Sequence, residues 1–516
     1  MKKSSQTHIL ANIESVLRPL LPAQLYALAW VDPSSETLMA VFEHLRTLQH
    51  ILRGYLPRQV IDSSPQLGET RYNWQEGTLM FTDLAGFTPL MEAYAAHGRE
   101  GAKTVLEILN GYFSEMLNIL SKSGGNLLEF TGDAMLVQFP KKRRQNDTDM
   151  AVRAGLRMQR AMADLGRIDT PQGRILLGMR VGIHPGKFLS AEIGTPLRMQ
   201  HVLLGKAVRQ AKKAEGAGVV GRVCLTEAAR DLLEGDLQCE PGTPGYFLVQ
   251  DNLTDEQLGA YEITFSTRRS ARTVLLDRSV EGLVTAIDEL SKQVEPLASF
   301  IPQPVLNLLI ESAAQRKIPP DFPTPAVIFI NLLGLPEAFD RALPGEEELI
   351  ITRFTHAFAL INAAVEKRGG VLNRVTYHLA GSDIVICFGT PNSHTNDPAR
   401  AAEAVLDIRD IITGLPPLTV GELEIRMSCQ IGMNCGSIFT GELGEPRGRR
   451  ELTIQGDVVN TAARLMGRAA ENQILLTEAF YGHIAPDFTC EALEAVSLKG
   501  KAEPVPLFAL RGPEEK

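Results

Sequence analysis

The run GTLMFTDLAGF (77–87) is apolar at almost every position up to Asp83 and ends in a glycine turn. A short unbroken apolar run closed in this way predicts a strand buried on both faces. The next segment, GAKTVLEILNGYFSEMLNILSKSGG, repeats apolar residues at three- and four-residue steps. That period predicts a long amphipathic helix, stopped by Gly124–Gly125. NLLEFTGDAMLVQF then reads as two strands joined by a tight turn at Gly132–Asp133. A further helix (DTDMAVRAGLRMQRAMADL) and strand (ILLGMRVGIHPG) follow. Strands separated by crossover helices predict an α/β sandwich with a mixed sheet.

The same pattern returns in the second half of the chain. GYLPRQV (54–60) is echoed by SFIPQPV (299–305), and GTLMFTDLAGF by PAVIFINLLGL (325–335). GGNLLEF (124–130) is echoed by GGVLNRV (369–375), and LLGKAVRQAKKAE (203–215) by IQGDVVNTAARLM (454–466). The separation is nearly constant and close to half the chain, far too long for a solenoid repeat. The organisation expected is a helical segment over 1–75, a domain over 76–264, a helical linker over 265–323 and a second copy of the domain over 324–512.

Composition changes this picture little. A net charge of −9 argues against a general nucleic-acid binder, so KKRR (141–144) is a solvated loop. The six cysteines show no paired spacing, which fits a reducing compartment without disulfides or zinc. The start lacks the apolar core of a signal peptide, and LLPAQLYALAWV is too short to span a bilayer. No transmembrane segment is expected, and the localisation expected is cytoplasmic.

The chemistry differs between the copies. In the first, Asp83 ends one strand and Asp133 sits in the turn of the neighbouring pair. Two such carboxylates can serve a hard divalent ion, which takes oxygen ligands together with substrate phosphates. In the second copy Asn331 replaces Asp83, and the turn LAGSDIV is longer. The late helix reverses this asymmetry. GDVVNTAARL sets Asn460 and Arg464 four apart on one face, whereas the first copy carries Arg209 and Lys213 there. Acids kept in one half and an Asn/Arg pair in the other suggest one composite site beside a degenerate twin. The ordinary alternatives are an Asp helix cap and a solvated helix face.

The set FTDLAGFT, FTGDAMLVQF, MRVGIHPG, ELTIQGDVVNTAARL and LKGK resembles the class III nucleotidyl cyclases, and the tandem layout resembles the soluble adenylyl cyclases. The resemblance implies two ferredoxin-like, palm-type α+β domains forming an intrachain head-to-tail pseudo-dimer that converts ATP to cyclic AMP as a monomer. Asp83, Asp133 and the Leu84 carbonyl would hold two Mg²⁺ or Mn²⁺ ions, and Ala85, Gly86, Phe87 and Thr88 would cradle phosphates. Arg180, Lys499 and Lys501 would contact the triphosphate. Thr453 and Arg374 would face the base, Asn460 the ribose and Arg464 the reacting phosphate. Arg374 has no acceptor for guanine N1–H, which favours ATP. Glu129, Arg209, Lys212, Lys213 and Asn331 would mark the degenerate site, with Glu129 facing Lys212 or Lys213. Bicarbonate-responsive relatives carry basic groups at the Glu129 and Lys212 positions, so an acidic Glu129 argues against bicarbonate.

Rival readings are a pseudo-cyclase that binds a nucleotide without turnover, and a guanylyl cyclase reading guanine through Glu129. A diguanylate-type synthase lacks its GGDEF-like signature. His184 reads as a turn histidine, while His97, His201 and His378 have no ligand-spaced partners. EPRGRRELT (445–453) reads as an exposed hairpin.

Overall fold

A computed structural model describes residues 10–259, 276–313, 318–377, 382–444, 449–498 and 503–514. Each half is built around one sheet. The first contains β1 (Arg71–Ala85), β2 (Asn126–Thr131), β3 (Ala134–Pro140), β4 (Gly178–Thr195), β5 (Arg198–Leu204), β6 (Val223–Thr226), β7 (Cys239–Pro241) and β8 (Tyr246–Val249). Its order is β2-β3-β1-β4-β6-β8-β7, with β5 folded back onto β4. The second contains β9 (Ala326–Leu333), β10 (Val371–Tyr377), β11 (Ser382–Phe388) and β12 (Ser428–Cys435). After the separate hairpin β13 (Phe439–Gly444) and β14 (Arg450–Gln455) come β15 (Ile474–Thr477), β16 (Phe488–Val496) and β17 (Val505–Pro513). The order β10-β11-β9-β12-β15-β17-β16 repeats the first half's path.

The apolar run 77–82 is buried throughout because β1 lies mid-sheet, antiparallel to both β3 and β4. The strand starts at Arg71, earlier than its apolar run, because the polar stretch RYNWQE still pairs with β4. On one face lie α2 (Phe87–Ala95), α3 (Gly98–Lys122) and α4 (Asp147–Leu165). Their apolar positions, among them Val105, Phe113 and Met158, join Met80 and Val137 in one core. Gly124, at φ 82°, closes α3, with the Gly125 amide bonded to the Leu120 carbonyl at 2.9 Å. Gly369 and Gly370 end the matching helix of the second half in the same way, at 3.0 Å. This left-handed glycine stop is the one the sequence pattern implied.

The opposite face of the first sheet does not reach solvent. Leu79, Phe81, Leu136 and Phe188 merge with Phe354, Phe358 and Ile361 of the second half in a shared core. Those three come from α7 (Glu347–Lys367), the one helix among the described residues long and apolar enough to cross a bilayer. Polar contacts also join the halves. The Asn110 side chain accepts from the Gly444 amide at 3.0 Å, and buried Arg198 donates to the carbonyls of Phe300 (2.7 Å) and Leu372 (3.4 Å).

A helical layer caps this pair. Helix α1 (Ser35–Tyr55) packs through Leu38, Leu45 and Leu52 on α6 (Val280–Ala298), which offers Leu283, Ile287 and Val294. Ser34 caps α1 by accepting from the Thr37 amide, and Ser279 caps α6 by accepting from the Gly282 amide. Three further helices belong to the scaffold: α5 (Lys206–Ala217), which follows β5, α8 (Asp397–Gly414), which follows β11, and α9 (Asp457–Met466), which follows β14.

Candidate active site

The carboxyl end of β1 and the β2–β3 turn bring Asp83 and Asp133 to one cavity of about 230 Å³. The second half closes it with Arg374 on β10, Gln455 at the end of β14 and Asn460 on α9. Phe87, at the start of α2, lines it as well. Gly86 makes the turn into α2 at φ 89°, where a Cβ would stand 2.6 Å from the Leu176 carbonyl oxygen. Ala85 and Thr88 flank that turn, half-buried, while Leu84 is buried.

Burial, and then the charge of Asp83, push the Asp133 carboxyl up to about 7, while Lys212 and Arg374 act in the opposite sense. A desolvated carboxyl at Asp133 beside the charge of Asp83 suits a divalent cation, whose charge favours the ionised forms. Among the described residues no group of three or more acidic, His or Cys side chains forms a closed metal cage. Beneath the site, Tyr112 of α3 donates to the Met179 sulfur at 3.4 Å, and burial, Asp133 and Asp83 raise its pKa.

Several assignments from the sequence need correction. Arg180 is not turned toward a triphosphate. It faces Asp83 across the β1–β4 ladder and is ion-paired with it, and its Nε stands 3.0 Å from Glu215. Lys212 does not belong to a separate half-site. It lines the same cavity as Asp83, bonds Glu215 at 2.8 Å and covers the Phe81 ring at 4.3 Å. Glu215, 1% exposed, is the buried anion that holds both cations in place. Glu129 faces neither Lys212 nor Lys213. It lines a second cavity with Arg374, Arg449, Glu451 and His201. Arg447 of EPRGRRELT lies outside the described residues, and the other two arginines are not exposed: Arg450 is 3% exposed and bonded to Glu442 at 2.9 Å. Arg449 donates to the Gly54 carbonyl at 3.2 Å.

Other assignments stand apart from the cavity. Thr453 is buried behind Gln455, whose Nε2 donates to its hydroxyl at 3.4 Å. Arg464 is half-buried on α9, one turn beyond Asn460, and is not part of the cavity wall. Lys213 is exposed, and Arg209 pairs with Asp340 of the second half. His184 bonds the Thr226 hydroxyl at 2.9 Å. Lys499, Lys501 and His378 lie outside the described residues.

In the second half, Asn331 and Gln430 face each other in the register that Asp83 and Arg180 hold in the first. The Asn331 amide donates to Gln430 at 2.8 Å. A neutral amide pair has replaced the ion pair, so this half keeps the hydrogen bond and loses the charge. Neither Gln430 nor Glu215 belongs to a recognisable motif. Glu215 could have been noticed from the helix face it shares with Lys212, whereas Gln430 meets Asn331 only through the β9–β12 register.

A model described as the adenylate and guanylate cyclase catalytic domain matches residues 70–253 and 341–512. The chain belongs to this cyclase family. Two curated relatives are adenylate cyclase type 10 of Oryctolagus cuniculus, 24% identical over 481 residues, and of Homo sapiens, 24% identical over 455. The alignments take in 90% and 86% of this chain but only 28% and 27% of those proteins. A solved structure, described as a class III adenylyl cyclase-like ATP-binding protein from Pseudomonas aeruginosa, superposes on 85% of the chain and 92% of its own. Its TM-score is 0.55 at 15% identity, so that solved chain shares the fold across both halves.

Proposed function

We propose that the chain is an adenylate cyclase that converts ATP to 3′,5′-cyclic AMP and pyrophosphate at the junction of its two halves. One observation carries this reading: a single cavity is walled by Asp83 and Asp133 from one half and by Arg374 and Asn460 from the other. In the reaction the ribose 3′-oxygen bonds to the α-phosphorus, the bond to the β-phosphate oxygen breaks, and the hydroxyl proton passes to water. Divalent ions held by Asp83, Asp133 and the Leu84 carbonyl would neutralise the triphosphate and lower the pKa of the 3′-hydroxyl. The chain's own groups position and stabilise. The turn Ala85–Thr88 and the start of α2 offer backbone N–H groups to phosphate oxygens. Asn460 fixes the ribose so that its hydroxyl lies in line with the phosphorus. Arg464, always charged, swings in from its place one turn further along α9 to meet the charge gathering on the phosphoryl oxygens. Arg374 offers donors only, which suits adenine N1 and disfavours guanine N1–H.

The test is cyclic AMP and cyclic GMP formation by the purified chain, with Mg²⁺ and separately with Mn²⁺. Cyclic AMP should dominate. Arg464→Ala should lower its rate by about 10²–10³ while ATP binding persists. Dominant cyclic GMP would overturn the substrate assignment.

A second reading, nucleotide binding without turnover, is favoured by two observations. Arg464 lies off the cavity wall, and the solved relative that covers most of the chain is described as ATP-binding. Tight ATP binding with no product under either metal would select it.

A further inference from the structure

We propose that Glu215 is a positioning residue of the divalent-ion site, taking Arg180 over from Asp83 when Asp83 turns to an ion, an inference that rests on the cyclase reading above. Residues two apart on a strand share a face, so Arg180 and Gly182 of β4 both look toward α5. Gly182 has no side chain, and the α5 backbone at Ala211, Ala214 and Glu215 lies directly against it. That close approach brings the Glu215 carboxylate, 1% exposed, beside the Arg180 guanidinium.

The two oxygens of Glu215 are used differently. Oε2 accepts from Lys212 Nζ at 2.8 Å, and Lys212 is held as well by the Phe81 ring at 4.3 Å. Oε1 stands 3.0 Å from Arg180 Nε. Both atoms are buried, yet among the described residues neither has a hydrogen-bond partner. Buried donors and acceptors nearly always pair. Here a matching donor and acceptor lie within bonding distance and miss each other in angle. The reason sits at the other end of the guanidinium, where Nη2 is committed to Asp83 Oδ2. The guanidinium is a rigid planar fork, so its hold on Asp83 fixes the direction of Nε–H. Released from Asp83, it needs only a small rotation to close the bond to Glu215.

With an ion on Asp83, like charge stands beside the guanidinium and favours that release. Without Glu215 the departing cation would have no counter-charge in a partly buried cleft, and its reluctance would oppose the ion. The internal repeat ties the arrangement to this site. Asp83, Arg180, Lys212 and Glu215 correspond to Asn331, Gln430, Ala463 and Met466 in the second half. Met466 lies over Gly432 as Glu215 lies over Gly182, so both halves keep the same helix–sheet contact. The packing survives in both copies, while all four charges are confined to the copy with the metal carboxylates. Glu215 therefore serves the ion site rather than the packing of α5.

The test uses the full-length chain and needs no turnover. Free Mn²⁺ is titrated at saturating 3′-deoxy-ATP, which lacks the attacking hydroxyl, and unbound Mn²⁺ is read by electron paramagnetic resonance. Glu215→Gln should weaken Mn²⁺ by about tenfold, the loss of one hydrogen bond between charged groups. Arg180→Met removes the competing cation and should bind Mn²⁺ at least as tightly as the wild type. Adding Glu215→Gln to Arg180→Met should change that affinity by less than twofold. A second measurement needs no metal. Asp83→Asn leaves Glu215 to take Arg180, so its melting temperature should stay within about 2 °C of the wild type.

The proposal is overturned if Glu215→Gln keeps the wild-type Mn²⁺ affinity within twofold, or if Arg180→Met weakens Mn²⁺. It is also overturned if Glu215→Gln weakens Mn²⁺ equally with and without Arg180, the signature of a field effect rather than of a hand-over. A melting temperature many degrees lower for Asp83→Asn would mean that Glu215 cannot hold Arg180 alone, and this arm decides the matter if Glu215→Gln does not fold. Binding separates this result from the cyclase reading. A chain that shows the coupled Mn²⁺ effect but makes no cyclic AMP refutes turnover and leaves the role of Glu215 standing. A chain that binds no Mn²⁺ with the nucleotide present refutes both.

Discussion

Arg180 stands between two carboxylates, Asp83 and Glu215, and the second is almost wholly buried. Removing one partner of such a group leaves charge without compensation, which costs far more than the pair itself contributes. Arg180→Met, close in volume and without charge, should therefore destabilise the chain by about 3 kcal/mol in urea unfolding. Adding Glu215→Gln should recover a large part of that loss. Equal stability of Arg180→Met and wild type would leave Arg180 free to serve a ligand instead. The structure brings Asp83, Asp133, Arg374 and Asn460 to one cavity; the two carboxylates were legible as a strand end and a turn, whereas their meeting with Arg374 and Asn460 of the other half was implied only by the family resemblance. The sequence could not show that Arg180 spends its charge on Asp83. Cross-strand register decides that, and register depends on the β1–β4 pairing rather than on any motif.

At the scale of elements, the helix–sheet contacts of the two halves rest on the same device. Gly182 on β4 and Gly432 on β12 lie under α5 and α9, and a methyl group at either would overlap helix backbone. At Gly432 the overlapped atoms belong to Ala462, Leu465 and Met466, so α9 has no flexible side-chain end to yield. Gly432→Ala should push α9 away from the sheet and carry Asn460 and Arg464 with it. Misplacing positioning groups by about 1 Å costs roughly 10² in rate. The expected outcome is a comparable fall in kcat, with a melting temperature a few degrees lower and far-UV circular dichroism unchanged. An unaltered kcat would mean that α9 contributes nothing to turnover. The helices and central strands were readable from periodicity, and the glycine stops after α3 and α7 from the paired glycines. The early start of β1 was not readable, since a polar strand edge carries no hydrophobic signal and forms only because β4 extends alongside it.

For the molecule as a whole, the repeat announced two similar halves, but not which residues meet between them. Glu129 and His201 of the first half meet Arg374, Arg449 and Glu451 of the second in a cavity of about 120 Å³. Tyr55–Pro57 and Phe300–Pro302, equivalent turns of the two copies, also line it. Pattern within one copy cannot reveal such a junction, which is why the sequence points Glu129 toward Lys212. The junction also has a consequence for stability against pH. Burial, and then Glu451, push Glu129 up to about 8, while Arg374 and Arg449 act in the opposite sense. His201 is pushed down to about 4 by burial and then by Arg449. Unfolded, the glutamate titrates near 4.3. Between that value and about 8 the folded chain holds a proton that the unfolded chain has released, so Glu129 makes stability fall as pH rises through this window. The effect of His201 has the opposite sign and ends near pH 6.5, where the unfolded imidazole is already losing its proton. Above that pH the Glu129 slope stands apart from the histidine. From pH 6.5 to 9 it should cost the wild type on the order of 1–2 kcal/mol in urea unfolding, and Glu129→Gln should lack that part of the decline. Parallel slopes for the two proteins would mean that Glu129 is already ionised at neutral pH, held by Arg374 and Arg449 as a buried ion cluster. Glu129→Gln would then destabilise the junction at every pH by stripping two arginines of their counter-charge.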